Sequence, residues 1–419
     1  MLYYWLKFMM QFTLSVFYRR RKFIGFDNVP ERGAVIFACN HPNSFLDAMI
    51  IGAFIKRETH FLARSDVFNS RLKLWILSQF KLMPIYRLQE GAENLGKNQD
   101  TFEKCHAIFR KGGAVLMFSE GICVQEMRLR PLKKGTARIA MEYSKDGSPL
   151  TIIPTGLNYL KPTEFREDVL ISMDTPFNAA DFATEYNENQ AKGIQSFNKR
   201  LQAGLQNSVI DIRDKANEKD IVQLVEVEHN DTGGDLKKMV QTVASLSQQE
   251  NVDVELLRSY RAALAKYKIT DEVVAGKRTS MLLVVPALAL FGIAFWVYLI
   301  PIGLAVRLVK KKIKLVEFHD SVLIGATVIF TFLYWLIIFF TVGSFFGYLI
   351  SVIVMLAILL IASVAGESYD VMRSVRAANV FERIDAKEKR ELREMRQQIS
   401  DLASVGNLVK AHKSHHPVG

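Results

Sequence analysis

Two uncharged runs constrain this chain more than any other feature of its sequence. Residues 279–305 and 321–366 contain no Asp, Glu, Lys, Arg or His. A helix needs about 20 apolar residues to cross the hydrocarbon layer, so the second run is long enough for two spans, with a break predicted at Gly343-Ser344. The pattern is typical of an integral membrane protein.

The first uncharged run is interrupted by Pro286, Gly292 and Pro301. Cations flank it on both sides: Lys277 and Arg278 before it, and Arg307, Lys310, Lys311, Lys312 and Lys314 after it. Positive residues favour the cytoplasmic side of a membrane, so a segment that dips in and returns would keep both groups there. We therefore predict a re-entrant segment over 279–305, with three full crossings as the alternative.

The first residues, 1–22, have the pattern of an amphipathic helix followed by a basic cluster. Lys7, Gln11 and Ser15 recur every four residues and share one helical face, while apolar side chains cover the rest. The charges follow the apolar stretch and no small-residue cleavage site is visible, so we expect the segment to be retained. It is predicted to lie in the membrane interface, with 19–22 meeting anionic head groups.

Composition narrows the possible partners. The formal charge of +11 could indicate nucleic acid, but no paired zinc ligands or aromatic-basic recognition pattern is visible, and anionic lipid explains the charge more simply. Cys39, Cys105 and Cys123 are widely spaced and odd in number, which indicates neither a disulfide framework nor a metal cluster. The expected setting is a reducing cytoplasmic face, at the inner membrane in a bacterium.

Strand and helix patterns alternate through the first part of the chain. Strands are predicted over 33–40, 59–63, 82–87, 113–118, 150–159 and 168–173, and helices over 44–54, 70–80 and 93–111. This alternation predicts an α/β domain, a mixed open sheet flanked by helices.

The expected organisation follows from these patterns. An α/β domain is predicted over 23–180 and a helical region, whose role the sequence does not state, over 181–278. Membrane segments occupy 279–366, with spans over 321–342 and 345–366, and a charged cytoplasmic helical tail follows over 367–419.

A histidine and an aspartate, His41 and Asp47, lie where a buried strand ends and a helix begins. An acidic residue at a helix start often only caps free N–H groups, and the pair alone fits that interpretation as well. Ligands of open α/β sheets, however, bind beyond the carboxyl ends of strands. An imidazole oriented by a carboxylate can remove a proton from a hydroxyl, so the pair is a candidate general base.

A second candidate site follows the strand at 113–118. Glu120 and Gly121 occupy the same kind of strand end, and a run of cations follows: Arg128, Arg130, Lys133, Lys134 and Arg138. Arg64 and Arg87 follow two other strands. Such cations are often merely solvated, but several converging strand ends favour a phosphate-bearing substrate.

Five segments in order, "NHPNSFLD", "FLARSDVF", "MPIYR", "FSEG" and "IIPTGLNY", resemble the motif series of the glycerolipid acyltransferase superfamily. This superfamily includes the glycerol-3-phosphate and 1-acylglycerol-3-phosphate acyltransferases. The resemblance covers roughly residues 20–180, and the ordered set is far more specific than any one segment.

The resemblance implies roles for particular residues. His41 would be the general base and Asp47 its orienting carboxylate, while Arg87 would contact the acceptor phosphate. Glu120 and Gly121 would lie near the acceptor. Further assignments are a proline in an apolar strand (Pro154), our own additional phosphate contacts (Arg64, Arg128, Lys133 and Lys134) and supporting residues in the first motif (Asn40 and Ser44). No cofactor or metal is expected; acyl-CoA or acyl-carrier protein would be the co-substrate, and membrane lipid and a phosphate-bearing glycerol acceptor the partners.

The chain departs from the family pattern at two places. Five residues separate His41 from Asp47, where four are usual, and this longer form resembles fungal-type glycerol-3-phosphate and dihydroxyacetone-phosphate acyltransferases. In the third motif Ser119, Ile122 and Cys123 replace the usual proline and Thr-Arg, so Arg128 or Lys133 is expected to supply the missing charge.

The expected function is therefore acyl transfer to glycerol 3-phosphate or dihydroxyacetone phosphate. Transfer to 1-acylglycerol 3-phosphate or another lysolipid is the alternative, and a non-catalytic membrane scaffold is a more remote one. A transporter is disfavoured because the uncharged runs hold no intramembrane charge.

Overall fold

The computed structural model describes residues 2–86, 98–162, 164–246, 253–277, 284–313 and 319–413. Its backbone contacts divide the chain into two compact units. The first comprises residues 1–11, 23–158 and 170–209, and the second comprises 12–22, 159–169 and 210–419.

A mixed sheet forms the centre of the first unit. Its strands are Arg21–Ile24 (β1), Val35–Cys39 (β2), Thr59–Arg64 (β3), Leu82–Ile85 (β4), Ala114–Phe118 (β5), Thr151–Tyr159 (β6), Val169–Met173 (β7) and Phe177–Asn178 (β8). The order is β1-β7-β6-β2-β5-β3-β4, with β8 paired antiparallel to β6. β2 lies parallel to both β5 and β6, and β3 parallel to both β4 and β5. The predicted mixed open sheet is confirmed; β1 and β8 were not predicted.

Helices flank this sheet. They are Leu2–Phe17 (α1, which continues into the second unit), Ser44–Phe54 (α2), Arg71–Gln79 (α3), Asn98–Arg110 (α4), Lys134–Ser144 (α5), Ala183–Glu188 (α6) and Gln190–Ser208 (α7). β2 is buried on both faces, as is typical of a strand inside a parallel sheet, and this explains its unbroken apolar run. The core beside it includes Ile36, Val115 and Ile152 from the three central strands.

The predicted boundary near residue 180 falls inside the first unit. Phe197, Leu201 and Leu205 of α7 are fully buried in the same core as the sheet residues. Their helical spacing was visible in the sequence, but nothing in the sequence showed that their partner is the sheet. α6 and α7 therefore complete the α/β unit, and the helical region of the second unit begins after Val209.

The polar face predicted for the N-terminal helix packs on protein. Lys7 Nζ donates a hydrogen bond to the carbonyl of Ile55, and Gln11 Nε2 donates one to Ala53 O at 2.6 Å. Both acceptors lie at the end of α2, where helix carbonyls lack partners within the helix. The aromatic side chains of Tyr4 and Phe8 stay exposed, as an interfacial helix requires.

The second unit contains a group of polar helices. These are Glu218–Thr232 (α8), Leu236–Leu246 (α9), Val254–Tyr267 (α10), Asp271–Val274 (α11) and Ala386–Lys413 (α15). Arg396 of α15 joins α11 and α8: its Nε donates to Asp271 Oδ1 at 2.9 Å, and its Nη2 donates to Asp231 Oδ1 at 2.6 Å. Asp271 is fully buried and also accepts a hydrogen bond from Tyr260. α15 is thereby fixed against the helices that precede the apolar segments.

Among the residues that the structure describes, three long apolar helices complete the second unit: Val284–Lys312 (α12), His319–Phe346 (α13) and Tyr348–Arg383 (α14). Each is long and apolar enough to cross a membrane. They pack together, and Tyr298 of α12 donates a hydrogen bond to Ile358 O of α14 at 3.1 Å. Outward-facing Trp296, Ile337 and Leu349 are 72%, 64% and 76% exposed, which suits contact with lipid.

The apolar helices differ from two predictions. The segment 279–305 was predicted to turn back in the membrane, but α12 is continuous from Val284 through Pro301 to Lys312. A proline costs a helix one hydrogen bond, and packing against neighbouring helices supports the continuation. The predicted break at Gly343-Ser344 lies instead at Gly347, whose φ of 89° is open to glycine but strained for other residues.

Candidate active site

His41 and Glu120 lie side by side at the carboxyl edge of the sheet. The register of the parallel pair β2 and β5 places Cys39 opposite Phe118, and each of the two residues follows its strand by two positions. Ser119 N donates a hydrogen bond to Cys39 O at 2.9 Å, which extends the pairing of the two strand ends. Parallel strands therefore bring two sequence-distant motifs to one point.

His41 and Asp47 form a hydrogen-bonded pair. His41 Nδ1 is 2.9 Å from Asp47 Oδ2, and the carboxylate is fully buried in the first turn of α2. The same oxygen accepts the backbone N–H of Asn43 at 2.8 Å. Asp47 thus both closes the turn before the helix and orients the imidazole, so the two interpretations of the pair are compatible.

Phe118 fixes the plane of the imidazole. Its ring stacks on that of His41 with centroids 3.7 Å apart and planes inclined by 11°. The His41 side chain keeps 11% of its surface exposed. Because Nδ1 faces Asp47, Nε2 is the nitrogen available for a substrate proton.

Glu120 joins the two loops that follow the strands. Its Oε2 accepts the N–H of His41 at 3.2 Å and its Oε1 accepts the N–H of Arg130 at 2.9 Å. Burial raises the pKa of this carboxyl to about 7, although the two backbone hydrogen bonds oppose the rise. Glu120 therefore connects the His41 loop to the Arg130 loop, and its burial favours the protonated carboxyl.

Asn40 and Pro154 support the strand ends. Asn40 exchanges two hydrogen bonds with the backbone of Leu157 in β6, at 3.0 and 2.8 Å. Pro154 lies opposite Ala38 in the register, and its ring packs on α7 at Gly204, where a Cβ would lie 2.5 Å from Pro154 Cγ. Asn40 thus attaches the His41 loop to β6, while Pro154 packs against α7.

Gly121 allows the Glu120 loop to turn tightly. Its φ is 71°, and a Cβ there would lie 2.8 Å from Cγ of Lys133. Lys133 N donates to Ser119 O at 2.8 Å, which brings the start of α5 to the same loop. Lys133 and Lys134 are both exposed at this helix start.

The remaining predicted phosphate contacts are placed differently. Arg128 Nη2 and Arg130 Nη2 both donate to Glu126 Oε2, at 3.3 and 2.7 Å. Arg64, at the end of β3, is paired with Asp66. Arg87 lies outside the described residues. The structure therefore brings Lys133 and Lys134 to the loop of Glu120, and gives the arginines at 64, 128 and 130 acidic neighbours.

Ser44 and Cys123 meet in a contact that the sequence did not predict. Ser44 N donates to Cys123 Sγ at 3.0 Å, and Ser44 has a φ of 51°. Phe118 and Glu126 were also missed as parts of the site, although the position of Phe118 at the end of the strand beside His41 was a usable signal. Among the described residues, no group of three or more His, Cys, Asp or Glu side chains is arranged to hold a metal ion.

Comparison with known proteins finds relatives of the α/β unit. Residues 20–158 match the sequence model of the Acyltransferase family. The chain is 26% identical over 133 residues to a chloroplast 1-acyl-sn-glycerol-3-phosphate acyltransferase of Brassica napus, and 24% identical over 181 residues to a probable 1-acyl-sn-glycerol-3-phosphate acyltransferase of Mycoplasma pneumoniae. These matches cover 32% and 40% of this chain. They span 37% and 65% of the length of the two relatives.

A solved structure is also similar: the 1-acyl-sn-glycerophosphate acyltransferase of Thermotoga maritima, at 17% identity and a TM-score of 0.34, covering 48% of this chain and 78% of that one. The resemblance of the α/β unit to the glycerolipid acyltransferase superfamily is confirmed by the family match and the sequence relatives.

Proposed function

We propose that the first unit transfers a fatty acyl group from a thioester donor to a hydroxyl of 1-acylglycerol 3-phosphate. The observation that carries the proposal is the buried Asp47 carboxylate, which lies 2.9 Å from His41 Nδ1 at the carboxyl edge of the sheet. This pair lies within residues 20–158, the part of the chain that matches the Acyltransferase family. Both sequence relatives carry the name of a 1-acylglycerol-3-phosphate acyltransferase, and this favours that acceptor over glycerol 3-phosphate.

In the proposed reaction His41 acts as a general base. Its Nε2 takes the proton of the acceptor hydroxyl as that oxygen attacks the thioester carbonyl, and Asp47 stabilises the imidazolium. The tetrahedral intermediate then expels the donor thiolate, which takes the proton from Nε2, so no acyl-enzyme forms. Such general-base catalysis typically contributes about 10²–10⁴-fold, and positioning of the substrates supplies the rest.

The acceptor phosphate is assigned to the start of α5. Lys133 and Lys134 are exposed there, and the first N–H groups of a helix attract anions. Arg87 is a further phosphate contact implied by the family resemblance. Arg64 and Arg128 each have an acidic partner, so a phosphate would have to compete with a carboxylate for them.

A second candidate acceptor is glycerol 3-phosphate or dihydroxyacetone phosphate. The five-residue interval between His41 and Asp47 favours it, since that form resembles the fungal-type enzymes that use these acceptors. The donor in either case is acyl-CoA or acyl-carrier protein, and no other cofactor is needed. We place the α/β unit on the cytoplasmic face, where both donors are found.

The test is an acceptor panel with the purified full-length protein in lipid nanodiscs. Each acceptor is offered with acyl-CoA and then with acyl-carrier protein, and products are read by lipid mass spectrometry. Phosphatidic acid formed from 1-acylglycerol 3-phosphate is the expected result, whereas monoacyl product from glycerol 3-phosphate would favour the second candidate.

Two variants complete the test. His41→Ala should abolish transfer, while His60→Ala should retain it, because His60 lies within β3 opposite Val115 and away from the strand end. Transfer by His41→Ala within a fewfold of the unmodified protein, or no product from any acceptor, would overturn the proposal.

A further inference from the structure

The first turn of α2 begins with a strained residue. Ser44 is buried and has a φ of 51°, a left-handed conformation that costs a residue with a side chain more than it costs glycine. It lies within the five-residue interval between His41 and Asp47. A backbone in this state persists only where its surroundings hold it.

Hydrogen bonds from outside α2 help to hold this turn. The first N–H groups of a helix have no partner inside the helix, and the side chain of the residue before α2, Asn43, makes no capping hydrogen bond. The backbone N–H of Asn43 donates a hydrogen bond to Asp47 Oδ2. The N–H of Ser44 is satisfied from another loop, by Cys123 Sγ at 3.0 Å.

Hydrogen bonds join the loop that carries Cys123 to the loop that carries His41. Glu120 accepts the N–H of His41, Cys123 accepts the N–H of Ser44, and Val124 N donates to His41 O at 3.3 Å. The first and third contacts hold His41 itself. The contact of Cys123 reaches Ser44, the first residue of the helix that bears Asp47.

We infer that Cys123 is a positioning residue: its sulfur holds the left-handed turn at Ser44, so that Asp47 meets His41 across the longer interval. This inference rests on the proposed function of the pair. The two places where the sequence departs from the family pattern, the fifth intervening residue and Cys123, are thus parts of one arrangement. Cys123 acts through Ser44 and Asp47 rather than on a substrate.

Cys123→Ala removes the acceptor and is expected to lower kcat about three- to tenfold, the equivalent of one net hydrogen bond, with KM for both substrates unchanged. Cys123→Ser supplies an oxygen acceptor and should restore most of the rate. Cys105→Ala is the matched control, since Cys105 is fully buried in α4; it should lower thermal stability without a selective loss of kcat. Equal kcat in the alanine and serine variants of Cys123 would overturn the inference.

Ser44→Gly tests the role of the strain. Glycine adopts a positive φ without the cost paid by serine, so the turn depends less on its sulfur contact. The loss of kcat caused by Cys123→Ala should therefore be smaller in the Ser44→Gly background than in the unmodified protein. A loss of the same size in both backgrounds would show that Cys123 does not hold this turn.

A structure of the Cys123→Ala variant separates this inference from the proposed function. The distance between His41 Nδ1 and Asp47 Oδ2 should lengthen from 2.9 Å beyond hydrogen-bonding range in most molecules, while a minority that keeps the pair supports the remaining rate. An unchanged distance would overturn the inference even if His41→Ala abolishes transfer. A lengthened distance would support it even if the acceptor panel gives no product.

Discussion

The described part of the chain contains two histidine–aspartate pairs, one in each unit, and the other groups bound by the two aspartates differ. His229 Nε2 is 2.6 Å from Asp168 Oδ2 in the second unit, a shorter contact than that between His41 and Asp47. Asp168 also accepts hydrogen bonds from Arg19 and Arg20. Burial alone would raise the pKa of Asp168, but the hydrogen bonds from His229 and Arg20 and the charge of Arg19 hold it well below its ordinary value.

The difference shows why distance alone does not identify a general base. Asp168 is shared among three side chains and ties the segments before β1 and β7 to α8, so its charge serves the fold. Asp47 accepts hydrogen bonds from the imidazole of His41 and from the backbone N–H of Asn43. The His41 imidazole also stacks on the ring of Phe118 and is partly exposed, whereas His229 is buried. A catalytic pair needs a carboxylate committed to its histidine and a histidine open to a substrate.

Removing the charge of Asp47 should have the largest effect. Asp47→Asn keeps the shape of the side chain but no longer stabilises the imidazolium, so kcat should fall about 10²- to 10⁴-fold. The measurement is the initial rate of acyl transfer at saturating substrates. Asp66→Asn, at an exposed carboxylate paired with Arg64, is the control and should retain the rate. A loss below about fivefold would contradict the role given to Asp47.

The same substitution in the other pair should act on stability. Asp168→Asn leaves two arginines without their shared carboxylate, and the cost should be roughly 2–4 kcal/mol, since both arginines are partly exposed. The measurement is the thermal midpoint in detergent, with kcat unchanged at temperatures where the variant stays folded. Asp211→Asn, whose partner Arg213 is exposed, should shift the midpoint little. A rate loss without a stability loss would make the second pair functional.

Two buried glutamates extend the comparison to pH. Burial raises the pKa of Glu120 to about 7 and also raises that of Glu167 in the second unit, against the charges of Lys161 and Arg373. Both hold protons that an unfolded glutamate releases near pH 4.3, so their contribution to stability is lost as pH rises from about 4.5 through about 7.

Replacing either glutamate should separate the two effects. Glu120→Gln and Glu167→Gln should each flatten part of the dependence of the thermal midpoint on pH in that window. Only Glu120→Gln should change the pH profile of kcat, because Glu120 contacts the backbone of His41. Identical kcat profiles for both variants would show that Glu120 does not titrate at the active site.

The smallest expected effect concerns the ring beside His41. Phe118→Leu removes the stacked partner while keeping an apolar side chain, and kcat should fall about two- to tenfold, as expected for a stacking interaction of about 0.5–1.5 kcal/mol. Phe109→Leu, in the core of the same unit, is the control and should affect stability instead. An unchanged rate in Phe118→Leu would show that Asp47 alone orients the imidazole.

The sequence was informative where local pattern determines structure. The run that forms β2, the start of α2 and the interval between His41 and Asp47 are all local, and the alternation of strands and helices predicted the mixed open sheet. β1 and β8 are short and depend on pairing with distant strands, so they carried little signal of their own.

Contacts between distant residues accounted for what was missed. Glu126 pairs with Arg128 and Arg130, which the sequence assigned as a cationic run open to phosphate. His229 and Asp168 are 61 residues apart and showed no pattern at all. The burial of α7 in the sheet core likewise required knowing which face meets which partner.

The ion pairs of Arg396 with Asp271 and Asp231 also limit how the chain can pass through a membrane. Asp231 and Asp271 precede α12, and Arg396 follows α14, so the two flanks of the apolar helices share one aqueous compartment. A chain that leaves and re-enters the same compartment makes an even number of complete crossings. We therefore expect two of the helices α12, α13 and α14 to cross the membrane completely. Cysteines introduced at Lys277 and at Lys387 should be labelled by an impermeant reagent from the same side of sealed vesicles.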